Sequence, residues 1–226
     1  MKIIAFVFAR GGSKGVKNKN IKLLGGMPLV AHSILVAKTI KEVNEIYVST
    51  DSEDIKKISK DFGAEVINRP SSLATDSSPE WLSWQHAIRT LEKRGKNFDI
   101  FLSLPATSPL RSSIDVTKCL DSLTKNIDVV VTATKANRNP YFNMIHRKKN
   151  GESQIILESS VSRRQDAPAV FDMTTVAFVT RPSYIKSHKG LFEGVTKSVI
   201  IPKQRAIDID DPTDFLIAEA LYERTI

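Results

Sequence analysis

The chain has 226 residues, 41% hydrophobic and 26% charged, with a formal net charge of +8 at pH 7. That length suits one large α/β domain, or one domain with a small insertion, and the composition is that of a soluble globular protein with a sizeable core. Its one cysteine, Cys119, excludes an intrachain disulfide and a cysteine-based zinc cluster, and no apolar run reaches the roughly 18 residues of a membrane span.

A reducing, cytoplasmic setting is expected, with no leader before the first strand. The positive charge admits nucleic acid or a small polyanionic substrate. The chain lacks a long Lys/Arg run with interleaved aromatics, so neither nucleic acid nor membrane is expected as a partner.

Read in order, the chain opens with Ile3 to Phe8, rich in Ile, Val and Phe and free of turn formers, which reads as a buried strand. Arg10-Gly11-Gly12-Ser13-Lys14-Gly15 follows, then Lys17, Lys19, Asn20 and Lys22. A strand feeding a glycine-rich cationic loop presents backbone N–H groups and charge-assisted donors to phosphate oxygens. Neither common phosphate fingerprint fits. Gly15 is followed by Val16 rather than by Lys-Ser/Thr, and Gly11, Gly12 and Gly15 are not spaced as G-x-G-x-x-G. A solvated basic loop is the plain alternative; five basic residues between Arg10 and Lys22 argue against it.

Pro28 marks a helix start, with Leu29, Val30, Ile34 and Ala37 as its apolar stripe. Glu45 to Ser49 reads as a strand, Ser52 as the N-cap of a helix through Lys60 that Gly63 ends, and Ala64 to Ile67 as a third strand. This β-α-β-α-β alternation predicts a mostly parallel α/β sheet with helices on both faces. Ser78-Pro79-Glu80 starts another helix, whose Trp81, Trp84, Ala87, Ile88 and Leu91 read as core rather than as base-stacking platforms. Phe98 to Leu104 is a strand running into Pro105-Ala106-Thr107-Ser108-Pro109-Leu110-Arg111. Such a loop at a strand's C-terminal end is where open α/β sheets take ligands. Cys119 falls in a helical pattern as inert packing.

Asp128 to Ala133 is the next strand. Residues 137–165 differ in texture: they are polar, carry Arg147-Lys148-Lys149, and hold Asn150-Gly151 as a hairpin turn. A hairpin inserted into an α/β fold is a candidate dimerisation arm, with the basic triplet at its solvated tip. Arg163-Arg164-Gln165 follows; forked guanidinium groups suit a carboxylate, against the alternative of a solvated surface pair. Phe171 to Thr180 and Val195 to Ile201 are strands. In an extended segment residues two apart share a face, so Asp208 and Asp210 project together. Two convergent carboxylates near a phosphate-binding loop suit Mg²⁺. Asp211, before Pro212 and three before Asp214, reads as a helix N-cap.

The opening ARGGSKGVKNKN closely resembles that of the acylneuraminate cytidylyltransferases, which activate sialic acids and related 2-keto sugar acids as CMP conjugates. Their loop reads A-R-x-x-S-K-G-x-x-x-K-N, and Arg10, Ser13, Lys14, Lys19 and Asn20 match it. The resemblance continues through Y-V-S-T-D, N-R-P, L-A-T-D, T-S-P-L-R, R-R-Q and the D-x-D of Asp208 and Asp210, so it covers both ends of the chain and much between.

It implies a Rossmann-like nucleotidyltransferase domain over 1–226, with 137–165 as a dimerisation arm that reaches a partner's site in a homodimer. It implies that Arg10, Gly11, Gly12, Ser13, Lys14, Lys19, Asn20, Arg69 and Asp76 bind CTP. Thr107, Ser108, Arg163, Arg164, Gln165, Thr174 and Thr175 would face the sugar acid. Asp208 and Asp210 would hold Mg²⁺ and, with Arg10, Lys14 and Lys19, form the catalytic set. Catalysis would be positioning and charge neutralisation as the anomeric hydroxyl attacks the α-phosphorus.

Two departures stand out. Where the family usually has Gln-Pro before T-S-P-L-R, this chain has Pro105 and Ala106; where it commonly has Asn-Gly-Ala, the chain has Thr174, Thr175 and Val176. Both lie on the sugar side, so a nonulosonate other than N-acetylneuraminate is expected, with a 3-deoxy-octulosonate as the alternative. A non-catalytic nucleotide sensor or RNA-binding module is the reading of another class. The acidic pair argues against it, because a polyanion binder gains nothing from added negative charge.

Overall fold

A computed structural model describes residues 1–13 and 15–224. In chain order its elements are β1 (Ile3–Phe8), β2 (Leu23–Leu24), β3 (Met27–Pro28), α1 (Leu29–Thr39), β4 (Val43–Thr50), α2 (Glu53–Asp61), β5 (Glu65–Asn68) and α3 (Glu80–Lys93). Then follow β6 (Ile100–Ser103), α4 (Ser113–Ser122), β7 (Val129–Lys135), β8 (Ile145–Arg147), β9 (Ser153–Ile155), β10 (Phe171–Thr180), α5 (Pro182–Ser187), β11 (Thr196–Ile200) and α6 (Pro212–Glu223).

Seven strands form one sheet in the order β11-β7-β10-β6-β1-β4-β5. All neighbouring pairs are parallel except those of β10, which runs antiparallel to both β6 and β7. The expected α/β architecture is therefore present, with one reversed strand inside it.

The alternation of side chains along β1 builds both faces. Ile3 and Ala5 pack with Ala37 of α1 and with Val116 and Cys119 of α4, and Val7 packs with Ile34 and with Ile55 of α2. Ile4 and Phe6 point the other way, into Trp84, Ile88 and Leu91 of α3 and Tyr184 and Ile185 of α5. Phe6 stacks on Phe101 at 4.5 Å and Trp84 lies 5.1 Å from the same ring. An aromatic buried in this way is worth about 3–5 kcal/mol relative to alanine. The tryptophans are core, as their helical spacing indicates, and burial pushes the Cys119 thiol up to about 12.

Local signals behave as read. The Ser52 hydroxyl accepts from the Ile55 N–H to cap α2. Asp211 caps α6 by accepting from the Thr213 and Asp214 N–H groups at 2.7 and 3.0 Å, and the Asp214 carboxylate accepts from the Asp211 N–H at 3.0 Å. The arm does hold a hairpin, β8 against β9. Its turn spans three residues rather than two: Lys148 pairs with Glu152, and Gly151 takes φ 93°. Asn150-Gly151 thus serves a bulged turn. The short β2–β3 pair, absent from the sequence reading, places Leu24 against Leu29, Phe215 and Ala218. Val16 and Ile209 join that cluster, so the C-terminal helix is packed onto the loop that follows β1.

Candidate active site

The loops leaving the C-terminal ends of β1, β5 and β6 border a cleft of about 470 Å³, closed on its far side by Thr175 of β10 and by the segment preceding α6. This is the ligand position expected of an open parallel sheet.

The loop after β1 supplies the cations. Arg10 pairs with Asp76 at 2.6 Å and also donates to the Ala74 carbonyl at 3.3 Å, joining this loop to the one after β5. Asn20, buried, donates its amide to the Arg10 carbonyl at 2.9 Å and braces the loop from within. Lys19 reaches across the cleft to the Ile209 carbonyl at 2.5 Å and the Asp210 carboxylate at 3.2 Å. Ser13 and Gly15 also line the cleft; Lys14 lies outside the described residues. The Gly11 N–H is committed to the Asp51 carboxylate at 2.9 Å. Gly11 and Gly12 border a small neighbouring hollow of about 60 Å³ instead of the main cleft.

Arg69 sits under the cleft. It donates to the Ser49 carbonyl at 2.6 Å and the Ser49 hydroxyl at 3.3 Å, and its guanidinium lies 5.6 Å from the Phe8 ring centre. Burial pulls its pKa down to about 10, against the favourable charges of Glu80 and Asp51.

Asp208 and Asp210 both face the cleft from one extended segment. The Ile209 N–H between them donates to the Thr107 carbonyl at 2.8 Å, which fixes the segment to the loop after β6. Asp208 Oδ1 is buried with no hydrogen-bond donor among the described residues. Burial pushes the Asp208 carboxyl above its usual range; Thr107 opposes this and the Asp210 charge adds to it. An orphaned carboxylate oxygen beside a second, exposed carboxylate fits a hard cation. Among the described residues no set of three or more His, Cys, Asp or Glu side chains converges to hold a metal. Two carboxylates completed by phosphate and water are the donor set Mg²⁺ commonly takes.

The expected acceptor residues divide. Ser108 is buried and bonded to the Thr175 hydroxyl at 2.6 Å, while Thr107 and Thr175 line the cleft. Thr174 does not line the cleft: it is buried and donates to the Thr132 hydroxyl at 2.8 Å. Strand alternation lets only one of the adjacent threonines face the ligand. Arg163, Arg164 and Gln165 are not brought to the cleft within one chain. Arg163 pairs with Asp166 at 2.7 Å, and Arg164 donates to the Asn137 carbonyl at 3.0 Å at the base of the arm.

The sequence reading missed Glu80, which it used only as a helix start. Glu80 lines the cleft from the first turn of α3. Although it reaches solvent, the surrounding walls desolvate its carboxyl enough to push it up, against the Trp84 N–H and the Arg69 charge. It also missed Asp51 and Arg111, each within a quoted motif but read without a partner.

Residues 4–167 match the family described as Cytidylyltransferase. The chain belongs to the cytidylyltransferase family. Among its relatives, post-translational flagellin modification protein B of Campylobacter coli is 35% identical over 98% of this chain and 95% of its own length. CMP-N,N'-diacetyllegionaminic acid synthase of Campylobacter jejuni is 34% identical over 97% of this chain and 94% of its own. N-acylneuraminate cytidylyltransferase of Escherichia coli is 30% identical over 99% of this chain but only 52% of its own length. The structure of CMP:2-keto-3-deoxy-manno-octonic acid synthetase complexed with CTP shares the cytidylyltransferase's fold, with a TM-score of 0.74 at 15% identity over 100% of both chains.

Proposed function

We propose that this cytidylyltransferase transfers CMP from CTP to the anomeric hydroxyl of a nonulosonate-type 2-keto-3-deoxy sugar acid, releasing pyrophosphate. The observation that carries the reading is Lys19 meeting Asp210 across the cleft at 3.2 Å. A plain anion site has no use for carboxylates facing its cations, whereas transfer at a phosphorus calls for both. The hydroxyl oxygen forms a bond to the α-phosphorus, the bond to the β-phosphate bridge breaks, pyrophosphate leaves with the electron pair, and the proton of the hydroxyl passes to solvent water. Arg10, Lys14 and Lys19 hold the triphosphate and offset its charge, with Ser13 beside them and Arg69 and Asp76 bordering the nucleotide. Asp208 and Asp210 would hold Mg²⁺, which would supply charge neutralisation at the α-phosphate and the leaving group.

Thr107 and Thr175 face the acceptor, and the buried Ser108 holds the Thr175 hydroxyl in place. The arm, residues 137–165, exposes Met144, Ile145, Ile156 and Leu157 and pairs two chains. Arg163, Arg164 and Gln165 of each chain then serve the partner's cleft, gripping the acceptor carboxylate. Another acid is preferred over N-acetylneuraminate as the acceptor. Pro105 and Ala106 border the cleft and lack the side-chain amide of a glutamine, and Thr175 adds β-branched bulk beside them. The 34% identity to a CMP-N,N'-diacetyllegionaminic acid synthase over 97% of the chain supports a legionaminate-type acid.

The test incubates the protein with each of the four nucleoside triphosphates, Mg²⁺ and a panel of acids, following pyrophosphate. CTP alone should support release, and kcat/KM for N,N'-diacetyllegionaminate should exceed that for N-acetylneuraminate by about tenfold or more, the scale of lost polar contacts. N-acetylneuraminate proving the best acceptor would overturn the acceptor assignment. No release from CTP with any acid would overturn the activity.

A further inference from the structure

Arg111 is buried, and burial pulls its guanidinium down to about 9. Its hydrogen bonds run to neutral oxygens: the Ser33 hydroxyl at 2.6 Å, the Pro105 carbonyl, and the Thr175 carbonyl at 3.4 Å. Its Nε has no partner among the described residues. The charges that favour it, Asp208 and Asp115, act without a hydrogen bond to it. A buried cation held in this way is costly, and apolar packing would stabilise a core more cheaply.

The atoms it holds explain its place. Pro105 opens the loop after β6, Thr175 belongs to β10, and these two elements form the wall opposite the cationic loop. The Ser33 hydroxyl donates to the same Pro105 carbonyl at 3.2 Å, so α1 shares the clamp. Beside this clamp the buried Ser108 bonds the hydroxyl of Thr175, which lines the cleft, at 2.6 Å.

We propose that Arg111 is a positioning residue for the acceptor: from behind the wall it ties the Pro105 carbonyl to the Thr175 carbonyl and so sets Thr107 and Thr175 against the sugar acid. The inference rests on the reading of the cleft as a CMP-transfer site. Lysine keeps the charge but cannot fork to three acceptors, so Arg111→Lys should open the wall while leaving the cationic loop in place.

The experiment compares wild type with Arg111→Lys, measuring CTP affinity by calorimetry, KM for the acceptor, kcat, and backbone hydrogen exchange. A displaced wall should raise acceptor KM by about tenfold or more while CTP affinity stays within about twofold. Exchange should quicken at residues 104–108 and 174–177 and stay unchanged at residues 3–13. Guanidinium added to Arg111→Ala should lower acceptor KM again. Equal losses for CTP and acceptor, or unchanged exchange at 104–108, overturn the proposal. If both Arg111 variants fail to fold, Ser33→Ala removes one anchor of the clamp and should show the same split at smaller size; its absence there overturns the proposal too. A wild type that turns over no acid sinks the functional reading, and the exchange comparison still decides Arg111.

Discussion

The carbonyl of Asp210 lies directly against Gly15: a β-carbon at residue 15 would overlap that oxygen and come within 4.0 Å of the Asp211 Cα. The cationic loop and the acidic segment are therefore in backbone contact, and the geometry of the pair depends on the missing side chain.

Gly15→Ala should push the two segments apart without disturbing the sheet. Activity should fall by about 10²-fold, the scale of a misplacement near 1 Å, while the unfolding temperature stays close to wild type. Steady-state kinetics and thermal unfolding on the same sample check this. Full activity would mean that the loop and the acidic segment need not touch.

Asp210→Asn keeps the shape of the side chain and removes one of the two carboxylates proposed to hold Mg²⁺. Pyrophosphate release should fall by orders of magnitude, and the Mg²⁺ concentration needed for half-maximal rate should rise. A variant that turns over undiminished at low Mg²⁺ would refute the role given to the pair.

Arg205 donates to both carboxylate oxygens of Asp115, at 2.7 and 2.9 Å, and thereby ties the turn before the acidic segment to the first turn of α4. Burial works against the Asp115 charge, but the bonds from Arg205 and Ser112 outweigh it and hold the carboxyl below its usual range. A depressed folded-state pKa contributes stability that is complete above the unfolded value, about 4, and is lost as pH falls through the folded one. Asp115→Asn should therefore be less stable than wild type at pH 7, by about 1–3 kcal/mol, and the gap should close as the medium is acidified. The figure is below that of a fully buried pair because the Arg205 side chain is 37% exposed. Denaturant unfolding at several pH values tests the sign; a gap that widens in acid would contradict it.

The arm should make the protein a dimer by sedimentation. Deleting residues 142 to 158 removes the β8–β9 hairpin with Met144, Ile145, Ile156 and Leu157, and should give a monomer without activity. A fully active wild-type monomer would refute the arm's role.

Much of the fold was legible in the chain because its signals are local. The apolar run of β1, the caps at Ser52 and Asp211, and the helical stripe of Trp84, Ala87, Ile88 and Leu91 each depend on residues within a few positions of one another. The boundaries of β4 were less legible. That strand runs Val43–Thr50 rather than Glu45–Ser49, because pairing with β1 carries it past its own apolar stretch.

The order of β10 between β6 and β7, and its reversed direction, left no mark in the pattern. Strand periodicity could place Thr174 and Thr175 on opposite faces but not say which face was the cleft. Arg111 and Glu80 were read as a motif letter and a helix start, since nothing nearby in sequence names the carbonyls or the cleft they meet.

By itself, then, the sequence determined the residue types of the site, a cationic glycine-rich loop and a D-x-D, and the elements that carry them. Only the tertiary structure decided that Lys19 and Asp210, 191 positions apart, meet across one cleft, and that Gly11 and Thr174 turn away from it. Secondary structure follows from neighbours along the chain, whereas a site follows from which strand ends the sheet brings together, and that is settled by the packing of the whole core.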